Sequence, residues 1–428
     1  MKQPDYSIYD NATILMKTSV IDTLCRNLVY KQLKKIKTGK LVVYEALNRL
    51  EFGNMKTRES DSVSLHIDHP CTWRHLALGG TTGAGEAYMQ GAWRCNDLVS
   101  LVRLVLQNKH VLASMDERIS RITQPLHRVA HWFSRNSIYG SRKNISAHYD
   151  LGNEFFSLFL DSTMMYSSAF YPSKSATLEL AATAKLDRIC QKLQLSAEDK
   201  VIEIGTGWGG FAIHAAKNYG CHVTTTTISK QQYHFAKARI ETEGVSDKVN
   251  LLLQDYRDLE GVYDKLVSIE MIEAVGHQYL NTYFEKCNQL LKEDGSMCIQ
   301  AITITDNLYK SAIKEVDFIK KYIFPGGFLP SIAAMSNAVA TSTDMKVVNL
   351  EDIGLHYART LSDWRSRFFE TLEAVIQQGY PASFIRMWEF YLCYCEGGFR
   401  ENYISTVQMI LIKPRAQAIS FNSELQKL

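Results

Sequence analysis

The chain has 428 residues, which at roughly 150 residues per domain is room for about two to three domains and excludes a small disulfide-held scaffold. Hydrophobic residues make up 46% and charged residues 22%, and 18 Phe, 22 Tyr and 6 Trp supply more aromatic surface than a disordered chain carries. A net charge of +3 is too small for a protein that coats nucleic acid, so any electrostatic partner must be met by local clusters.

Met1 to Ile14 has no charged segment followed by an apolar one, and nowhere do about 18 apolar residues run uninterrupted. A chain neither secreted nor membrane-spanning is expected. Nine cysteines, with no CxxC pair and no zinc-like spacing with His, fit reduced thiols in the cytoplasm and no metal site.

The first 60 residues carry five more basic than acidic side chains. Ile21, Leu24, Cys25, Leu28, Val29, Leu33 and Ile36 follow helical spacing, with Arg26, Lys31, Lys34, Lys35 and Lys37 mostly off that stripe. Such a helix either packs on its own domain with a solvated basic face or docks on anionic headgroups. Residues 41–44 and 63–67 alternate like short strands; Gly79-Gly80 and Gly83-Ala84-Gly85 are then expected to break the chain before a helix over Asp97–Asn108. Helical patterning over Asp116–Phe133 and a second basic cluster, Arg118 to Lys143, lead to a boundary near the Asn144 turn. The chain thus divides into a small α+β module (1–140), a larger domain (141–415) and a tail (416–428).

From Leu178 helix and strand alternate. Helix 178–193, strand 200–204, helix 210–219, strand 221–226, helix 230–243 and strands 249–253 and 263–269 are followed by helix 279–291 and strand 295–301. This pattern specifies an α/β fold with a parallel sheet covered on both faces, whose ligands lie outside the carboxyl ends of the strands.

Val201-Ile202-Glu203-Ile204 followed by Gly205, Gly207, Gly209 and Gly210 is a buried strand, a glycine-dense turn and a helix start, the order that brings backbone N–H groups close to a ligand. A nicotinamide site needs an acid about 20 residues on to hold the ribose. The second strand instead ends Val223-Thr224-Thr225-Thr226-Thr227, and the acid, Glu203, precedes the first glycine. That arrangement resembles the first motif of S-adenosylmethionine (SAM)-dependent methyltransferases, whose turn accepts the amino-acid end of SAM. The resemblance implies a class I, Rossmann-like methyltransferase domain beside the smaller N-terminal module. Thr227, Ser229 and Gln232 are candidates for the ribose, and Asp255-Tyr256-Arg257 for the adenine edge, unless Asp255 caps the Arg257 turn. Tyr166 and Ser167 are also placed with SAM.

Polar and aromatic residues alternate around His148 and Tyr149, over 164–171, and around Tyr322 and Phe324. Each aromatic alone reads as core, but together they suggest a long apolar cavity suited to an acyl chain.

AHYDLGN, MYSSAFY, VIEIGTGWGGFAIHAA, LLLQDYRDL, SIEMIEAVG, KYIFPGGFLPS and YLCYCEGGFR together resemble the cyclopropane-fatty-acyl-phospholipid synthase family, which includes the mycolic acid cyclopropane synthases. The match runs from about Arg142 to Lys413, and GEAYMQGAW (85–93) is similar to the N-terminal module of longer members. What this implies is methyl transfer from SAM to a cis double bond in a phospholipid acyl chain; a carbocation forms and a base then removes a proton. The family's base is a bicarbonate ion. By motif its ligands here are Ser168 (usually Cys), Glu273, Gln300 (usually His), Ile302 through its backbone, and Tyr357. Ala274 also replaces a common His, and Thr206 a Cys. The departures cluster at the proton-removal end, so a cyclopropane and a methyl- or methylene-branched product are both open. Cys395 aligns with a cysteine long regarded as an active-site residue, although no covalent intermediate is needed and free cysteines are commonly buried apolar groups. The resemblance further implies an acyl-chain substrate, an anionic membrane surface, a cytoplasmic enzyme on the inner membrane face, a homodimer, and no nucleic acid. Methylation of a soluble small molecule, or a non-catalytic lipid-binding role on a degenerate fold, are the alternatives.

Overall fold

A computed structural model describes residues 19–56, 58, 61–109 and 151–416. The chain divides into two units, one of Met1–Phe133, Glu315–Ile323 and Trp364–Tyr403, the other of Ser134–Lys314, Phe324–Asp363 and Ile404–Leu428.

In the first unit, helix α1 (Val20–Leu33) starts at Ser19, whose Oγ accepts the Asp22 N–H at 3.0 Å. The expected apolar stripe of α1 divides between two faces: Cys25 and Val29 are buried, while Ile21, Leu24 and Leu28 are exposed. Strands β1 (Lys40–Glu45), β2 (Asn48–Gly53), β3 (Val63–Ile67) and β4 (Trp93–Cys95) form a sheet in the order β2-β1-β3-β4. The glycines at 79–85 do not break the chain as expected; they lie within helix α2 (Cys71–Met89). Gly80 takes up a kink at φ 52°, and Gly83 and Gly85 sit where a Cβ would collide with the His75 carbonyl and the Phe318 ring. Helix α3 (Leu98–Gln107) runs between Asp97 and Asn108 as its spacing predicts, with Asp97 accepting the Ser100 N–H.

The second unit is built on a seven-stranded sheet in the order β10-β11-β9-β8-β5-β6-β7. Helix α4 (Leu178–Leu193), β5 (Lys200–Ile204), helix α5 (Gly210–Tyr219), β6 (His222–Thr227), helix α6 (Lys230–Thr242), β7 (Val249–Leu253), β8 (Tyr263–Ile269), helix α7 (Leu280–Gln289) and β9 (Leu291–Ile304) follow the predicted alternation, with ends shifted by a few residues at β6, α6, α7 and β9. Strands β5 to β9 pair in parallel. Helix α8 (Ile332–Ser342), the part of α9 (Gly354–Glu370) up to Asp363, β10 (Lys346–Asp352) and β11 (Ile404–Ile412) complete the unit, and β11 runs antiparallel to both β9 and β10.

The sheet's two faces are read off alternate residues. Ile202, Ile204, Leu266, Met297 and Ile299 pack with Tyr283 and Phe284 of α7 and Met335 of α8. Val201, Val267, Cys298 and Ile410 pack with Leu186 and Ile189 of α4 and Phe211 of α5. This alternation sends Glu203, Gln300 and Gln408 to the α4 face, where Gln408 accepts the buried Lys192 ammonium at 2.8 Å. A helix of the first unit, α10 (Ala382–Arg400), carries Glu389, which accepts the Tyr88 hydroxyl at 2.6 Å.

Candidate active site

The glycine loop follows the carboxyl end of β5, and its Gly205 and Thr206 N–H groups donate to the Thr226 carbonyl of β6. Gly205, Gly207 and Gly209 have φ of 105°, 53° and 86°, left-handed values that favour glycine. A Cβ at Gly207 would meet no atom within 4 Å, so the loop borders open space, whereas at Gly205 it would press on the Met271 side chain at 3.3 Å. Glu203 is buried below the loop; its Oε2 accepts the Thr225 hydroxyl at 2.6 Å, and Thr225 in turn meets Thr206 Oγ1 at 2.6 Å. Burial pushes the Glu203 carboxyl up to about 8, opposed by the Thr225 bond and Lys185.

At the end of β6, Thr227, Ser229 and Gln232 form one network. Thr227 Oγ1 donates to Gln232 Oε1 at 2.8 Å and accepts the Ser229 N–H at 3.1 Å, while Ser229 caps α6. After β7, both oxygens of buried Asp255 are engaged by Arg257, at 2.8 Å from Nε and 2.7 Å from Nη2; the turn-capping alternative describes this geometry. The left-handed glycines with open space beside them, next to a polar network at the adjacent strand end, fit SAM.

The acid end lies after β8. Glu270 has φ 49°, and Glu273 follows on a single 3-10 turn, Ile272–Ala274. Glu273 Oε1 accepts the Ile302 N–H at 2.5 Å. Its Oε2 is sealed from solvent and has no hydrogen-bond partner among the described residues. Burial, and then the neighbouring Glu270 charge, push Glu273 up to about 8.

Sequence reasoning missed Glu270. Its Oε1 accepts the Gln300 amide at 2.8 Å and the Ser168 N–H at 2.9 Å, and the Tyr357 hydroxyl also bonds the carboxylate. Burial raises this carboxyl, and the bonds and Lys185 oppose the rise. The only sequence signal was the repeated acid in Glu270-Met271-Ile272-Glu273 at a strand end. Lys185, wholly buried on α4, donates to Ser167 Oγ at 2.8 Å; burial draws its ammonium down to about 8 against Glu270, Asp161 and Glu203.

Four of the five residues assigned to bicarbonate thus surround the two carboxylates, and the fifth is Glu273 itself. Ser168 Oγ donates to the Ala169 carbonyl at 3.0 Å, both Gln300 N–H groups are taken by Glu270 and the Ser168 carbonyl, and Ile302 N–H is taken by Glu273. These donors are already matched to acceptors, and a further anion would face two carboxylates. The residues present do not fit bicarbonate.

Tyr166 lies 5.1 Å from the Phe156 ring and 6.3 Å from Phe324, and Trp208 of the glycine loop lies 5.1 Å from Phe156. Tyr322 and Cys395 belong to the first unit: the Tyr322 hydroxyl donates to Glu86 at 2.9 Å, and burial raises the Cys395 thiol. His148 and Tyr149 lie outside the described residues.

The family model for mycolic acid cyclopropane synthetase matches residues 137–409. The chain belongs to this family. Within it the chain is 37% identical to the tuberculostearic acid methyltransferase of Mycobacterium tuberculosis, over 82% of this chain and 83% of the relative. It is 34% identical to the cyclopropane-fatty-acyl-phospholipid synthase of Escherichia coli K12, over 82% of this chain and 88% of that one. Among solved structures, a cyclopropane synthase from Mycobacterium tuberculosis matches with a TM-score of 0.59 at 30% identity, covering 64% of this chain and 98% of that one. A mycolic acid cyclopropane synthase complexed with S-adenosylhomocysteine matches with a TM-score of 0.59 at 29% identity, covering the same shares. The fold is that of class I SAM-dependent methyltransferases, and this member of the mycolic acid cyclopropane synthetase family is a SAM-dependent methyltransferase of lipids.

Proposed function

We propose that this enzyme methylates the cis double bond of an unsaturated phospholipid acyl chain through a carbocation, giving a cyclopropane or a methyl- or methylene-branched chain. The observation that carries this reading is the sealed Glu273 Oε2, unpartnered among the described residues, on the loop whose Met271 packs against Gly205 of the glycine turn. An alkene is a poor nucleophile, so the site must hold the reactants together in a dry space and meet positive charge as it develops. SAM, when bound, supplies the electrophilic methyl group. Gly205, Gly207, Gly209, Thr227, Ser229 and Gln232 hold it. The faces of Phe156, Tyr166 and Phe324 exclude water and favour a cation, and Glu273 stabilises the charge left on the acyl chain.

The exposed face of α1 supports an anionic membrane as the source of the acyl chain. Val20, Ile21, Leu24 and Leu28 are 53–78% exposed there, followed by exposed Lys31, Lys34 and Lys35. No helix among the described residues is long and apolar enough to cross a membrane.

The test is mass spectrometry of lipids from cells expressing the protein and fed methyl-deuterated methionine. Two retained deuteriums report loss of a methyl proton, to a ring or an exocyclic methylene that mild hydrogenation tells apart. Three report an intact methyl group. No labelled lipid would reject the proposal.

A further inference from the structure

Three segments far apart in sequence aim donors at one carboxylate. Ser168 N–H comes from the loop before α4, the Gln300 amide from β9 and the Tyr357 hydroxyl from α9, and all three reach Glu270. The Gln300 amide is held the right way round, because its carbonyl accepts Gln408 Nε2 at 3.0 Å and Gln408 in turn accepts Lys192 at 2.8 Å. Glu270 itself stands at φ 49°, a left-handed conformation that a long side chain adopts only where its surroundings over-determine it. Three of the five groups that the family resemblance assigns to bicarbonate therefore already cage an anion, and it belongs to the chain.

We infer that Glu270 is the proton acceptor of the reaction, a built-in carboxylate in the role of bicarbonate, so that turnover requires no added anion. This rests on the methyl transfer proposed above. When the acyl cation collapses, the electron pair of a C–H bond becomes the new C–C bond of a ring or the π bond of an alkene, and the proton passes to a Glu270 oxygen. Cation and carboxylate become neutral product and neutral acid, and the acid re-ionises before the next turnover. Burial favours this direction, because it raises the affinity of the carboxylate for a proton.

The experiment uses the full chain, SAM and vesicles of unsaturated phospholipid, reading both S-adenosylhomocysteine and methylated acyl chains. Wild-type turnover in carbon-dioxide-free buffer should stay within about twofold of that with added bicarbonate. Glu270→Gly, which suits the left-handed φ and opens space, should lose about 100-fold or more without bicarbonate and recover at least about tenfold with it, which no purely structural role would produce. Glu270→Gln keeps the volume and the fold and should be equally slow without being rescued. Dependence of the wild type on bicarbonate, wild-type rates in Glu270→Gln, or a folded Glu270→Gly that bicarbonate does not restore would each overturn the inference. Absence of any methylated lipid from the wild type would instead overturn the proposed function, and this inference with it.

Discussion

Gln300 donates to Glu270 at 2.8 Å with an orientation set from behind by Gln408. Reversal of the Gln300 amide would put two acceptors face to face, so the relay Lys192–Gln408–Gln300 determines which group Glu270 sees. Gln408→Leu removes the relay while Glu351 still holds Lys192 at 2.6 Å. It leaves the Gln300 carbonyl buried and unpaired, which costs about 1–3 kcal/mol. Urea unfolding should show that loss, and turnover should fall by more than Gln408's distance from the glycine loop would suggest. A variant with wild-type stability and rate would remove the relay from the account.

Glu273→Gln keeps an oxygen for the Ile302 N–H but cannot ionise to meet the positive charge of SAM and of the acyl cation. Turnover should drop about 100-fold or more, while calorimetry still detects SAM binding at the glycine loop. A fully active variant would take Glu273 out of the reaction.

The same residue sets a pH dependence of stability. Glu273 and Glu203 are pushed up to about 8 in the folded protein from an ordinary 4.5, so the folded state binds protons that the unfolded state has released. Their stabilising contribution is whole below about pH 4.5 and is lost as the pH rises to about 8. Lys185, drawn down to about 8 from 10.5, acts in a higher window: its penalty is relieved only between those two values. The Tm of wild type minus that of Glu273→Gln should therefore fall from about pH 5 to pH 8 and then level off. A difference that is flat with pH would show that Glu273 is ionised in the folded protein throughout.

Strands β5, β7 and β8 were legible residue for residue, because short apolar runs bounded by glycine or polar turns are what a buried parallel strand requires. The antiparallel edge was not. Strand β11 pairs Ile404 with Ile304 and Val407 with Ala301, a choice made by distant residues that leaves no local pattern. Helix α2 was misread for a different reason: glycine ordinarily interrupts a helix, but at Gly83 and Gly85 close packing leaves no room for a side chain. The site divides in the same way. The glycine loop is a contiguous motif, whereas the family resemblance gave the Ile302 backbone to bicarbonate and did not anticipate its bond to Glu273. Glu270 is defined by partners at 168, 300 and 357, and in sequence only the second acid three residues on marks it.

Cys395 tests how far motif resemblance reaches. It lies on α10 in the first unit, and burial raises its thiol well above the range of a reactive thiolate. Cys395→Ser should keep most of the wild-type turnover. Complete loss of activity with an intact thermal transition would give the thiol a role in the reaction.

Docking through α1 makes a quantitative demand on the full chain. The outward row Val20, Ile21, Leu24 and Leu28 offers apolar side chains to a bilayer interface, and Lys31, Lys34 and Lys35 follow on exposed positions. Each lysine near an anionic surface contributes about 1 kcal/mol, so replacing all three with Gln should weaken co-sedimentation with phosphatidylglycerol vesicles about 100-fold at low salt. Screening shortens the reach of that attraction as salt is added, and high salt should bring the wild type down to the level of the triple variant. Leu24→Gln with Leu28→Gln removes apolar contact instead, and should weaken binding at every salt concentration. The two effects separate the electrostatic from the apolar part of the attachment. Binding that ignored both sets of substitutions would place the membrane contact elsewhere, whereas dependence on the leucines alone would mean that insertion, rather than headgroup charge, brings the enzyme to its substrate.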